Sequence, residues 1–330
     1  MPRFLRYVLA NPAFLTGALS RTVESVQANF SLGELKSALV LLPPLDEQQA
    51  IVDALGALDD RIDLLRQTNA TLESIAQALF KSWFIDFDPV RAKAEGREPE
   101  GMDAATAALF PIEFEESALG LIPKGWQVVE VGQAADCVGG GTPSTKEAAY
   151  WHPPVHQWAT PKDLSGLGSP ILWDTERCLS PAGLAKVSSG LLSAGTLLMS
   201  SRAPIGYLAI SQIPVAVNQG FIAIRPGGLL PPVYLYFWCQ SNMDAIKQKA
   251  NGSTFMEISK AAFRPIPLVL PPKEVLARFA EVAGMLFDRI AAGEQHRAQL
   301  AELRDALLPR LISGKLRLPE AREQLEDALA

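Results

Sequence analysis

Cysteine and histidine are scarce, with three of each in 330 residues. Cys137, Cys178 and Cys239 lie too far apart for a CxxC metal pair or a disulfide framework, which predicts a reducing, cytoplasmic setting. His152 and His156 stand four residues apart, but Pro153 and Pro154 between them deny the helical turn that would aim both rings at one metal. No run of eighteen apolar residues occurs, so no membrane-spanning helix is expected. Residues 1–15, with Arg3 and Arg6, lack the apolar stretch and cleavage site of a secretory leader. The phosphate-binding Gly-Lys-Ser/Thr loop, GxGxxG, GxSxG and HExxH are all missing. These absences exclude the commonest nucleotide-binding, serine-hydrolase and zinc-hydrolase chemistries. With no acid–base constellation in view, the chain reads as a binding protein before it reads as an enzyme.

What is present is globular: 48 % hydrophobic and 20 % charged residues over a length that suits about two domains. The net charge of −6 is unevenly laid out. Residues 44–122 carry −10, whereas residues 1–43 carry +2, residues 123–270 carry +3 and residues 271–330 carry −1. Polyanion binding follows the local field, so an acidic total leaves a nucleic-acid partner open for the two mildly basic segments.

The chain also repeats itself. At an offset of 228 residues, Leu42-Pro43-Pro44 falls on Leu270-Pro271-Pro272, Asp60-Arg61-Ile62 on Asp288-Arg289-Ile290, and Ala78-Leu79 on Ala306-Leu307. Ser31 falls on Ser259 and Leu35 on Phe263, and no gap is needed across residues 4–84 and 232–312. The second copy follows a segment of more than 100 residues, roughly 119–231, whereas Met1 already aligns with Leu229. The chain therefore reads as one full repeat preceded by the tail of another.

Each copy is expected to end in a long helix. Pro44 suits a first helical turn and Asp46 and Glu47 favour the positive end of the helix dipole. Ile51, Leu55, Leu58, Ile62, Leu65, Asn69, Leu72, Ala76, Leu79 and Trp83 then recur in steps of four and three, a coiled-coil seam with Asn69 at an a position. Such a helix runs roughly 60 Å. The second copy repeats the seam as Phe279, Ala283, Leu286, Ile290, Gly293, Arg297, Leu300, Arg304, Leu307 and Leu311, and Ser313-Gly314-Lys315 reads as its glycine stop. The two helices are expected to pair as a spacer; packing of each on its own domain is the alternative.

Residues 86–118 read as an acidic connector broken by Pro89, Gly96, Pro99, Gly101 and Pro111. Beyond them short β-like runs at 126–131, 197–200, 207–210, 216–217 and 221–225 are separated by turn clusters, and residues 232–250 look helical. The expected fold class is α+β: a mixed α/β domain rich in polar loops, plus two long helices.

Several motifs then reach a family. Ile122-Pro123-Lys124-Gly125-Trp126, Gly140-Gly141-Thr142-Pro143-Ser144, Trp158-Ala159-Thr160-Pro161-Lys162-Asp163-Leu164, Ser200-Ser201-Arg202-Ala203-Pro204-Ile205-Gly206, Asn218-Gln219-Gly220 and Leu307-Leu308-Pro309-Arg310-Leu311-Ile312-Ser313-Gly314-Lys315-Leu316 span nearly the whole chain. In combination with the repeat, they resemble the specificity subunit of type I restriction–modification systems. The resemblance implies a chain without catalytic activity or cofactor of its own. A target-recognition domain would read half of a bipartite double-stranded DNA sequence. The long helices would pack antiparallel, set the spacing and dock methyltransferase (M) subunits, which use S-adenosylmethionine. Restriction motor-nuclease (R) subunits, with ATP and Mg, would complete the complex. On this pattern residues 1–43 are the remnant of a first target-recognition domain, 44–118 a long helix and connector, 119–270 a complete target-recognition domain and 271–330 the second helix and tail. The sequence departs from the family where the body of the first domain should stand, which leaves truncation, a split gene or self-dimerisation as expectations.

Polar loops of residues 119–270 supply the candidate DNA contacts, because Lys, Arg, Ser and Thr bind phosphates while Arg, Lys, Asn and Gln read base edges. They are Thr142, Ser144, Thr145 and Lys146; Lys162; Ser201 and Arg202; Gln219; and Asn251, Ser253, Thr254 and Lys260. For each lysine the plain alternative is a solvated surface, and for Arg202 and Gln219 it is a structural hydrogen bond. The competing function is a degenerate helical scaffold that binds methyltransferase subunits and reads no DNA.

Overall fold

A computed structural model describes residues 1–19, 32–252 and 256–329. Two compact units divide the chain: residues 1–68 with 293–330, and residues 69–292. Both draw on the two long helices, Leu45–Phe84 and Lys273–Ile312. Each helix has 40 residues, and both their starts and their ends stand one repeat length apart. Gly314, at φ 69°, stops the second in the left-handed turn that glycine adopts freely, and the Gly314 N–H returns to the Leu311 carbonyl at 3.1 Å.

In the first unit the predicted seam is the core. Ile51, Leu55, Leu58 and Ile62 pack with Leu300, Leu307, Leu308 and Leu311, and Leu65 borders them. Phe4, Tyr7 and Val8 of helix Pro2–Ala10 and Leu325 of helix Leu318–Leu329 complete it. Arg304 interrupts the apolar series, and the structure supplies the reason. Its Nη1 donates to Asp59 Oδ1 at 3.0 Å, while the Tyr7 hydroxyl donates to Asp59 Oδ2 at 2.7 Å. Burial and that carboxylate push the Tyr7 phenol well above its ordinary range.

In the second unit the helices meet through rings. Phe279 lies 5.9 Å from Phe80 and 5.0 Å from Phe84, while Tyr236 joins Phe287, at 5.5 Å, to Glu73, whose carboxylate accepts its hydroxyl at 2.6 Å. Low numbers on one helix thus face high numbers on the other, so the pair is antiparallel. Asn69, at the expected a position, is buried. Ala76, Ala283 and Ile290 fill the seam, with Leu72, Leu79 and Leu286 at its margins. Helix Pro232–Ser241 buries seven consecutive residues, Val233 to Cys239, against the same cluster.

Five strands form the main sheet: Asp136–Val138, Phe221–Arg225, Leu197–Ser200, Leu208–Ser211 and Ile171–Leu172, in that spatial order. All pairs are antiparallel except the last. Alternate residues face opposite clusters: Leu197, Met199, Ile222 and Ile224 join the ring cluster, and Leu198, Phe221 and Ala223 join Leu164, Leu192 and Val217. A sheet covered on both faces explains why these strands read as unbroken apolar runs. Burial here pushes the Cys137 thiol up to about 11. A second sheet orders Ala216–Val217, His156–Ala159 and Arg177–Leu179, and Gln127–Glu130 pairs with Pro267–Leu270.

The acidic connector is not a loose tether. It folds as helices Asp88–Ala94 and Ala104–Ala108 and a hairpin of Phe114–Ser117 with Gly120–Pro123. Val90 and Phe110 anchor it in the ring cluster. Phe87, at φ 54°, makes the turn out of the long helix and meets Trp126 edge-on, ring centres 5.7 Å apart. Asp103 caps the second short helix through the Thr106 N–H at 2.8 Å and reaches Arg278 at 3.1 Å.

Candidate nucleic-acid interface

Glycine sets the first loop. A side chain on Gly140 would drive its Cβ to 1.7 Å from the Val217 carbonyl oxygen, so only glycine lets the two backbones cross. The crossing is stitched by the Gly141 N–H on Val217 O at 3.0 Å and by Trp158 Nε1–H on Gly141 O at 3.1 Å. Thr142, exposed just beyond, donates its hydroxyl to Gln219 Oε1. Lys260 lays its Cε and Nζ over Gly139 from the other side.

Asn218 and Ser200 shape the neighbouring turns. Asn218 Oδ1 accepts the Gly220 N–H at 2.8 Å, which presents Gln219 outward. Ser200 Oγ accepts from the Gly206 and Tyr207 N–H groups, at 3.1 and 2.8 Å, and donates to Pro204 O. That bracket holds residues 200–206, with Ala203 at φ 56°. Ser201 is buried and bonds through its backbone, its N–H on Gly220 O at 2.8 Å and its carbonyl on the Ile258 N–H at 3.0 Å. Arg202 emerges next, and its Nη1 meets Glu257 Oε2 at 3.2 Å with both side chains over a third exposed. Glu257 also exchanges backbone bonds with Asn251, at 2.9 and 3.0 Å.

Thr142 thus bonds Gln219, the Gly220 carbonyl ties that turn to Ser201, and Arg202 and Asn251 meet on Glu257, so these five share one polar rim, with Lys260 set apart against Gly139. Ser144, Thr145 and Lys146 are exposed further along the first loop, which the Trp151 indole N–H holds by the Ser144 carbonyl at 3.0 Å. Lys162 stands on helix Pro161–Ser165, beside Gly220, and is paired with Glu176 at 2.7 Å; that carboxylate raises the lysine's pKa. Ser253 and Thr254 lie outside the described residues. Three rim residues were not singled out from sequence. Glu257 and Lys247 line, with Arg202 and Met256, a cleft of about 580 Å³, and the Arg177 guanidinium stacks 3.6 Å from the centre of the Trp151 ring. Nothing local marks them, because a lone Glu, Lys or Arg has no spacing to read.

The rim offers cations, amides and hydroxyls on loops held by strand ends. Among the described residues no three His, Cys, Asp or Glu side chains gather as metal ligands, and no helix is long and apolar enough to cross a membrane. A sheet covered on both faces with a polar loop rim, together with two antiparallel 40-residue helices, is the architecture to be matched. The chain belongs to the type I restriction modification DNA specificity domain family, whose model matches residues 3–74 and again 123–283. It is 29 % identical to the type I restriction enzyme HindI specificity subunit of Haemophilus influenzae, over 96 % of this chain and 78 % of that protein. It is 34 % identical to the MjaIX specificity subunit of Methanocaldococcus jannaschii over 54 % of this chain and 41 % of that one. The fold is shared with the S subunit of M. genitalium at a TM-score of 0.54, with 13 % identity, over 94 % of this chain and 72 % of that chain.

Proposed function

We propose that this chain is the DNA-recognition subunit of a type I restriction–modification complex, reading part of a bipartite target through the rim around Arg202. The observation that carries the reading is that Thr142 and Gln219, Ser201 beside them, and Arg202 and Asn251 on Glu257 are gathered from distant sequence positions on a domain of the matched family. Arg202 and Lys260 supply charge for phosphates, and Gln219, Thr142 and Asn251 supply donors and acceptors for base edges. The exposed Ser144, Thr145 and Lys146, and Lys162 beyond its pair with Glu176, extend the phosphate track; Ser201 acts by holding the turn.

Residues 119–270 serve as the reader, residues 1–43 match the C-terminal part of a first one, and the helical segments 44–118 and 271–330 serve as spacer and docking surface for methyltransferase subunits. The chain catalyses nothing. S-adenosylmethionine, ATP and Mg belong to the M and R subunits that join it, and the complex works in the cytoplasm.

Arg202→Ala and Lys260→Ala test the reading. Each weakens DNA binding by about 1–3 kcal/mol if it touches a base, or lowers the salt slope by about one if it touches a phosphate. Fluorescence anisotropy across a salt series reads both effects, with thermal melting to confirm folding. Unchanged affinity in folded variants of every rim residue contradicts the proposal.

A further inference from the structure

Two indoles hold the first loop of the rim, and an arginine rests on both. Trp151 and Trp158 are buried and meet edge to face, ring centres 5.2 Å apart. Trp158 Nε1–H holds the Gly141 carbonyl at 3.1 Å and Trp151 Nε1–H holds the Ser144 carbonyl at 3.0 Å. The stretch that bears Thr142 is therefore pinned at both ends. Arg177 lies opposite Trp158 on the paired strand, and its guanidinium sits 3.6 Å from the centre of the Trp151 ring and 5.4 Å from that of Trp158. Loop and arginine share one aromatic platform.

Four arginines occur in residues 119–270. Arg202 donates to Glu257, Arg225 to Asp136 and the Ser189 carbonyl, and Arg264 to the Cys137 carbonyl. The exposed guanidinium of Arg177 donates to no protein acceptor among the described residues. The adjacent carboxylate, Glu176, is taken by Lys162 at 2.7 Å. Lys146, and Lys186 at 5.8 Å from the centre of the Tyr150 ring, are exposed and likewise make no ion pair among the described residues. Glu147, next to Lys146, turns its carboxylate to the Ala149 N–H at 3.4 Å. The pinned loop and its platform thus carry three unneutralised cations in a chain of net charge −6. Stacking occupies a face of the Arg177 guanidinium and leaves its in-plane N–H groups open, the fork that two phosphate oxygens accept together. It also fixes in advance a long side chain that would otherwise lose rotamer freedom on binding.

We propose that Arg177 is a DNA-phosphate clamp, preset on the Trp151 ring to take the backbone beside the bases that the rim reads. The proposal rests on the DNA-recognition reading above and adds a residue whose contribution is independent of base sequence. Trp151 is its positioning residue: one face carries the guanidinium while its N–H fixes the loop at Ser144.

The test measures binding of the full chain to duplex fragments of host DNA across a salt series. Arg177→Gln weakens binding about three- to tenfold at low salt and lowers the slope of log affinity against log salt by about one. Arg177→Lys, which keeps the charge and loses the fork, keeps the slope. In complex with a methyltransferase subunit, Arg177→Gln methylates the same motif at lower occupancy. A second measurement needs no substitution. In the unaltered chain the same DNA slows the reaction of Arg177 with phenylglyoxal at least about threefold, read by mass spectrometry, while the exposed Arg97 of the connector reacts equally with and without DNA. An unchanged slope in folded Arg177→Gln, an altered motif, or Arg177 left unshielded on bound DNA overturns the inference and leaves the DNA-reading proposal standing. A chain that binds no duplex at any salt overturns both.

Discussion

Asp103 shows how much one carboxylate does at the foot of the ring cluster. The Thr106 N–H and hydroxyl, and then Arg278, hold its pKa down to about 2, below the ordinary value of about 3.9. A depressed folded pKa gives stability that is complete above about pH 5 and lost as pH falls through the ordinary carboxylate range towards 2. Asp103→Asn is therefore expected to lower stability by a constant amount above pH 5, with the gap to the parent closing between pH 4 and 2 in urea titrations. A second residue-scale prediction concerns Asp59, shared by Tyr7 and Arg304. The side chains of Asp59 and Arg304 are mostly buried, 18 % and 29 % exposed, so removing one partner leaves the other poorly solvated. Asp59→Ala costs about 1–3 kcal/mol, and a cycle with Arg304→Leu shows coupling on the order of 1 kcal/mol. Strict additivity contradicts the pairing. At this scale the sequence was least legible: Arg304 fell on the seam by spacing, but its acceptor lies 245 residues away. Glu257 likewise has meaning only beside Arg202.

Elements were easier to read than residues. The steps of four and three located both long helices, because a sustained seam leaves few other periodicities; Pro44 fixed the start of the first to within a residue, whereas the seam read for the second, Phe279 to Leu311, begins six residues inside Lys273–Ile312. Strands Leu197–Ser200, Ala216–Val217 and Phe221–Arg225 also fall where the apolar runs place them. The segment 86–118 is the instructive departure: proline and glycine mark turns but do not say what packs between them, and Val90 and Phe110 are core residues. The helix expected over 232–250 divides into Pro232–Ser241 and Met243–Gln248, with Asn242 at the join returning its side-chain amide to Trp238 O at 2.9 Å. The direction of the helix pair was supplied by resemblance, not by periodicity; ring contacts to Phe279 and Phe287 provide the physical reason.

At the scale of the whole molecule, the repeat organises everything else. It gives both helices one length and places one sheet-bearing domain between them in sequence. The loop rim was legible as a set of polar turns, but the meeting of those turns depends on crossings such as Gly140 over Val217 that no local pattern encodes. The most direct measurement of the central claim is a map of N6-methyladenine across host DNA after co-expression of this chain with a type I methyltransferase subunit. The account predicts a defined methylated motif that is lost in Arg202→Ala and Lys260→Ala while the complex still forms. A complex that assembles with the unaltered chain and methylates no motif contradicts it, and leaves a helical scaffold that does not read DNA.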